Sequence, residues 1–295
     1  MRVFSLCGEL ALCAAFAAPA LAQSLNLGAG AGGAAVPIHI TASQGIEWQQ
    51  AAQVVIATGQ AQAVRGAVTV DADQLIAHYR KKPGTAAPAS GMDALNQGDD
   101  QLYELDAIGH VHIFTATDNA YGDHAVYSLD SAVLVLTGKH LKLTTPADII
   151  TAKDAIEYYS VKHEAVARGD ARIVARDGRS IAADTLIGYL APATAGAAGS
   201  GDAATGGLSQ AGQLRKVDAI GHVLIHTSTD TATGERGVYL PQTGMARLGG
   251  DVHILRGQNE LTGSDALLNL KTGVATLLAA PGGQVAGTIL PNSTP

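Results

Sequence analysis

The chain has 295 residues, a formal net charge of −7 and only 4% aromatic residues. An acidic surface without a basic stripe repels a phosphate backbone, and so few rings offer no stacking platform, so nucleic acid is excluded as the main partner. Apolar surface must come instead from Ala, Val, Ile and Leu, side chains suited to aliphatic ligands.

The first segment reads as an export leader. Arg2 supplies a short positive start, Leu10 to Ala20 an apolar stretch, and Ala20-Leu21-Ala22 a small-residue cleavage site before Gln23. Residues 1–22 are therefore expected to be removed, and the apolar run is short for a membrane span. Both cysteines, Cys7 and Cys13, lie inside it, so the exported chain has no thiol for a disulfide, a thiolate metal site or a nucleophile. Residues 23–36 are Gly/Ala-rich and read as a flexible linker.

From residue 37 to 278 the chain repeats itself. Asp106-Ala-Ile-Gly-His-Val-His-Ile-Phe-Thr returns as Asp218-Ala-Ile-Gly-His-Val-Leu-Ile-His-Thr. A shorter unit runs beneath that duplication. Segments opening on Gly59, Gly109, Gly138, Gly169, Gly221 and Gly250 each lead into alternating apolar positions, and Asp73, Asp123, Asp154, Asp184, Glu235 and Asp265 then open a second apolar run. The unit is roughly 30 residues, and low-complexity insertions at 81–100 and 191–213 account for the two longer spacings. Residues 279–295 read as a disordered tail.

Period-2 alternation dominates each unit, as where Val111 and Ile113 alternate with His110 and His112. That is the pattern of half-buried strands. Residues 147–162 could pass for a helix, but Asp154-Ala-Ile-Glu-Tyr matches Asp184-Thr-Leu-Ile-Gly-Tyr and is read as strand. The expected fold is all-β. Units this short bury their apolar face only by stacking on neighbours, in an elongated solenoid or curled jelly roll.

The pattern resembles the OstA-like, LptA-type periplasmic lipopolysaccharide-transport family. The resemblance is carried by the leader, by Ile38-His-Ile-Thr-Ala-Ser, and by Ile56-Ala-Thr-Gly-Gln-Ala-Gln-Ala-Val leading to Val70-Asp-Ala-Asp-Gln-Leu-Ile-Ala-His-Tyr. It recurs at Gly169 to Tyr189 and at Gly250 to Leu270. The resemblance implies a β-taco, two antiparallel sheets curled into a V around an apolar interior. It also implies head-to-tail self-association, lipopolysaccharide as ligand through its lipid A acyl chains, and partners in the inner- and outer-membrane parts of the transport machinery. Expected lipid-binding residues are Val111, Ile113, Leu141, Leu143, Ile156, Ile173, Leu186, Val223, Ile225, Val252, Ile254 and Leu267. The rival reading is a structural or adhesive exported β-solenoid without a lipid ligand.

Catalytic chemistry is not expected. His110, His112 and His124 hint at a metal site, yet the second copy keeps His222 and places Leu224 where His112 stands. Asp71 and Asp73 form a pair that could suggest acid catalysis, but Asp73 is the repeat acid and a turn or ladder role fits it. Gly28 to Gly33 matches a dinucleotide-loop spacing with no strand before it and no helix after it. No catalytic residue, metal site or cofactor is assigned.

Overall fold

The computed structural model describes residues 38–81, 100–191, 214–279 and 283–289. The leader, the linker, most of both insertions and the last six residues of the tail lie outside the described residues. Everything regular in the described residues is β. The strands are β1 (His39–Thr41), β2 (Gly45–Gln49), β3 (Val54–Arg65), β4 (Val68–Lys81), β5 (Asp100–Phe114) and β6 (Asn119–Ser128). They continue as β7 (Val133–Thr137), β8 (Leu141–Thr144), β9 (Asp148–Ala152), β10 (Ala155–Tyr159), β11 (Glu164–Ala175) and β12 (Ser180–Leu190). The array closes with β13 (Leu214–His226), β14 (Asp230–Leu240), β15 (Met245–Arg256), β16 (Asn259–Asn269), β17 (Val274–Leu278) and β18 (Ala286–Thr288). The stretch 147–162 is strand, in β9 and β10. One stretch expected in a disordered tail is instead ordered: β18 pairs with β16 through Glu260, Leu261 and Thr262.

All pairings are antiparallel, and each long strand is bent at its middle. On one side of the bend β3 pairs with β2, on the other with β1. In the same way β6 pairs with β7 and β8, β11 with β10 and β9, and β16 with β17 and β18. The hydrogen-bonded ladder therefore has two arms along its whole length, a first arm edged by β2 and β17 and a second edged by β1 and β18. Buried side chains from both arms, among them Ala57, Leu75, Val111, Leu141, Leu248 and Val252, form one apolar cluster. The arms thus fold toward each other around a shared interior.

The bend is where the repeated glycines sit. Five of the six do not open strands as expected but lie mid-strand, at bulges, while Gly138 stands in the break between β7 and β8. Between Ile108 and Val111 the ladder from β5 to β6 shifts by one residue, and Gly109 and His110 both take positive φ, 78° and 47°. Such a bulge turns the strand sharply while keeping its pairing. Gly59-Gln60, Gly169-Asp170, Gly221-His222 and Gly250-Asp251 repeat it with both φ values positive. Of the repeat acids, Asp154 stands immediately before β10 as expected, but most of the others do not start strands. Asp73, Asp123, Asp184 and Glu235 stand mid-strand on the alternate strands, each against the glycine of the next. A Cβ on Gly109 would overlap the Asp73 carboxylate, so a side chain is barred there by space as well as by dihedral. Glycine-marked and acid-marked strands alternate along the outer edge of the bend.

The sixth unit departs from the pattern. The β15–β16 register pairs Gly249 with Asp265 and Val252 with Gly263, so the residue at the bend is Ser264. Asp265 stands one place beyond the repeat position.

Candidate functional site

The interior between the arms is the candidate site, and distance from the bend organises it. Beside the bend the facing residues are small or aliphatic: Ala57, Ala61, Ala72, Ala107, Ala171 and Ala183, with Val111, Val223 and Val252. Small side chains let the arms approach closely, and here the interior is a packed core. Val252 and Leu248 are 0% exposed. Farther out, larger residues face each other across a widening gap.

Toward the N-terminal end the outer part of the first arm carries its own packing. Val55, Ala77, Tyr79, Leu105 and Tyr127 form a second buried cluster, with Trp48, Leu102, Leu129 and Leu134 packed on it. The Trp48 indole N–H donates to the Tyr79 hydroxyl, and the two rings meet edge to face at 5.9 Å. Burial pushes the neighbouring Tyr158 hydroxyl up to about 12. Aromatic side chains thus extend the packed inner face of the first arm over the early strands.

From β9 onward the mouth opens. A crevice of about 430 Å³ runs between the arms, walled by Ile173, Ala175 and Ile181 on one side and Leu214, Val217, Tyr239 and Leu270 on the other. A second crevice of about 230 Å³ adjoins it, sharing Arg179 and Leu270 and adding Ile225, Ala232 and Leu268. Charges ring the apolar walls. Asp148, Arg176, Asp177 and Arg179 lie at the first crevice, and Asp230 and Lys271 at the second. Arg179 donates from Nε to Asp177 at 2.7 Å, which raises the guanidinium and holds the Asp177 carboxyl below its usual range. Burial, with Asp177 nearby, raises the Asp148 carboxyl. An apolar cleft with a charged rim has the form that shelters an aliphatic chain and leaves a polar end at the surface.

The structure sorts the residues expected from sequence by depth. Val111, Leu141, Leu143, Ile156, Leu186, Val223, Val252 and Ile254 point inward and are buried, and Ile113 is partly buried against them. Ile173 and Ile225 line the open crevices. Leu267 is a correction. It is 37% exposed on the outer face, and Ala266 and Leu268 point inward in its place. The cause is the slip at Ser264, since counting two positions on from Asp265 lands on the wrong face. Sequence reasoning missed Ile181, Leu214, Tyr239 and Leu270. Leu214 and Leu270 lie beyond the motif, at strand ends, and become wall residues only because the strands extend that far from the bend.

The histidines flagged in the sequence are not brought together. His110 sits at the bend, 91% exposed, with its Nδ1 2.8 Å from Asp73. His112 lies on the outer face of the second arm, stacked between Phe114 and Tyr121, with its Nε2 3.0 Å from Asn119. His124 pairs across the ladder with Ile108 in the first arm. His222 repeats the position of His110, 2.9 Å from Asp184. Asp71 accepts from the Gln62 amide at 2.8 Å in the second arm, so Asp71 and Asp73 have separate partners, that of Asp73 being His110 at the bend.

No curated protein sequence matches the chain. A crystal structure of LptH, the LptA-homologous periplasmic component of the conserved lipopolysaccharide transport device from Pseudomonas aeruginosa, is similar at 13% identity with a TM-score of 0.39. The likeness covers 49% of this chain and 95% of that one. Residues 39–164 match the family model described as LptA/(LptD N-terminal domain) LPS transport protein. That segment runs from β1 into the first residue of β11 and contains three of the six repeat glycines, so this part of the array is an OstA-like domain of the LptA type, a member of the lipopolysaccharide-transport family.

Proposed function

We propose that the chain is a periplasmic lipopolysaccharide-binding transport protein which shelters acyl chains between its arms and bridges the inner and outer membranes. The observation that carries this reading is the pair of adjoining crevices, apolar in their walls and charged at their rim, at the mouth of a continuous apolar interior. An acyl chain in water exposes methylenes at about 0.8 kcal/mol each, so a path that keeps every methylene covered lowers the barrier to transfer. The chain does this by shape and needs no catalytic group. The leader at residues 1–22 supports a periplasmic location. Short edge strands support bridging: β1 and β2 at one end pair only with β3, and β17 and β18 at the other only with β16, among the described residues. Unpaired edges of this kind favour head-to-tail addition of a second copy or of a partner with the same fold.

Photo-crosslinking in cells tests the reading. A photoreactive residue at Ile173 or Ile181 is expected to capture lipopolysaccharide, and one at Leu267 on the outer face is expected not to. Ile173→Asp should compromise the outer-membrane permeability barrier. Capture that is absent at Ile173 and Ile181, or equal at Leu267, refutes the proposal and favours a structural β-solenoid whose interior is only a core.

A further inference from the structure

The outer face of the first arm carries a cluster that the sequence did not suggest. His78 on β4 stands directly across the ladder from Glu104 on β5, and Asp106 lies two residues further along β5 on the same face. The His78 Nε2 is 3.0 Å from the Asp106 Oδ2. One ligand atom from each of the three residues lies within 4.8 Å of the others. The group is partly buried, with the His78 and Asp106 side chains 25% and 19% exposed. Beside it the ladder slips between His78 and Tyr79, and the Tyr103 ring lies 6.0 Å from the imidazole.

The internal repeat shows what this position looks like when it balances its own charge. By ladder register, Lys216 stands where Glu104 does, Asp218 where Asp106 does, and Tyr189 where His78 does. There the Lys216 ammonium pairs with Asp218 at 2.8 Å and lies over the Tyr189 ring at 4.6 Å. One cation meets one carboxylate. In the first copy the cation is replaced by a second carboxylate, and among the described residues no Lys or Arg pairs with Glu104 or Asp106. Two carboxylates converge on one imidazole, an arrangement that is repulsive on its own and favourable around a divalent cation.

We propose that His78, Glu104 and Asp106 form a divalent transition-metal site that clips β4 to β5, with Zn²⁺ as its best-fitting probe. Imidazole nitrogen with carboxylate oxygen suits zinc and its neighbours better than calcium or magnesium, which prefer oxygen alone. Donors about 2.1 Å from a shared zinc ion lie at most about 4.2 Å apart, so side-chain rotations that draw the 4.8 Å cluster slightly inward suffice to close it. Three protein ligands leave coordination positions to water. The site is on the face opposite the apolar interior, so it stands or falls independently of the lipid-carrying role.

The test uses the full exported chain without a histidine tag. Calorimetric titration with Zn²⁺ should show one saturable site, and Zn²⁺ should raise the urea midpoint. Glu104→Lys rebuilds the Lys–Asp pair that the fold accommodates at residues 216 and 218, and the double variant His78→Tyr, Glu104→Lys transplants the second copy outright. Both are expected to fold and to bind Zn²⁺ at least tenfold more weakly, without the rise in midpoint. His222→Ala, which removes an exposed histidine at the bend, should leave binding unchanged. Absence of saturable binding in the wild-type chain, or full binding in the two folded variants, overturns the proposal.

Discussion

The bend makes a sharp prediction, because two separable effects exclude a side chain from Gly109. The first is conformational: at φ 78° an L-residue incurs about 1–2 kcal/mol. The second is steric, since the new Cβ would stand where the Asp73 carboxylate lies. Displacing that carboxylate also breaks its contact with His110, and overpacking of this kind costs about 1–3 kcal/mol. Gly109→Ala should therefore destabilise the chain by roughly 2–5 kcal/mol. In an Asp73→Ala background the space is largely cleared, because only the Cβ at 3.0 Å remains, and the same substitution should cost only the conformational part. Urea unfolding followed by far-ultraviolet circular dichroism and by the fluorescence of the single Trp48 gives all four corners of the double-mutant cycle. A coupling of about 1 kcal/mol or more is expected. Equal costs in the two backgrounds would show that the acid does not fill the glycine's space. A cost below about 0.5 kcal/mol would show that the bend does not require the left-handed conformation. Gly138 extends the argument, because a Cβ there would meet the backbone nitrogen of Asp123 at 2.5 Å. A backbone atom in a paired strand cannot step aside, so Gly138→Ala should cost at least as much as Gly109→Ala, and Asp123→Ala should not rescue it.

Two further outcomes follow from the packing and the charges. Leu248→Ala, at a fully buried position beside the bend, should cost about 2–5 kcal/mol, whereas Leu267→Ala on the outer face should cost less than about 1 kcal/mol; the reverse order in urea unfolding would contradict the inward assignment. Asp148 has a carboxyl raised by burial above its ordinary value near 3.8, so the folded chain holds that proton more tightly than the unfolded chain does. Its contribution favours folding below that ordinary value and is lost as pH rises through the window above it. Asp148→Asn removes this slope, so the variant should gain stability relative to wild type between pH 3 and pH 7. A relative loss over that range would show that Asp148 is held charged by Arg179 instead.

Much of the architecture was legible because a stacked array writes its unit many times. Six glycines at related spacings, and the near-copy of 106–115 at 218–227, identify bends and ladder positions that no single unit would reveal. The inward direction of Val111, Leu141, Val223 and Val252 follows from alternation alone. The crevice was less legible. Leu214, Tyr239 and Leu270 face Ile173 and Ile181 only because two distant strand ends are folded over each other, and nothing local in the chain records that fold. The cluster of His78, Glu104 and Asp106 was hidden for a similar reason: its register spans the insertion at 81–100, so the chain does not display which residue faces which.

The bends also explain why glycine and acid first read as strand starts. On a glycine-marked strand the bulge adds one residue, and the inward positions keep their parity through it: Leu105, Ala107, Val111 and Ile113 are all odd. Alternation is unbroken, and only glycine betrays the bend. On an acid-marked strand the parity slips, from Ala72 to Leu75 across Asp73 and from Ala183 to Leu186 across Asp184. A slip in phase looks like one strand ending and another beginning, although the hydrogen-bonded ladder runs on through it. The acid is thus a weaker marker than the slip itself. In the last unit the slip runs from Gly263 to Ala266 across Ser264, with Asp265 one place too far along. Reading the slip instead of the acid there turns Leu267 outward and Ala266 and Leu268 inward. Phase reports which face a side chain takes, whereas the identity of the corner residue reports only what fits against the neighbouring glycine.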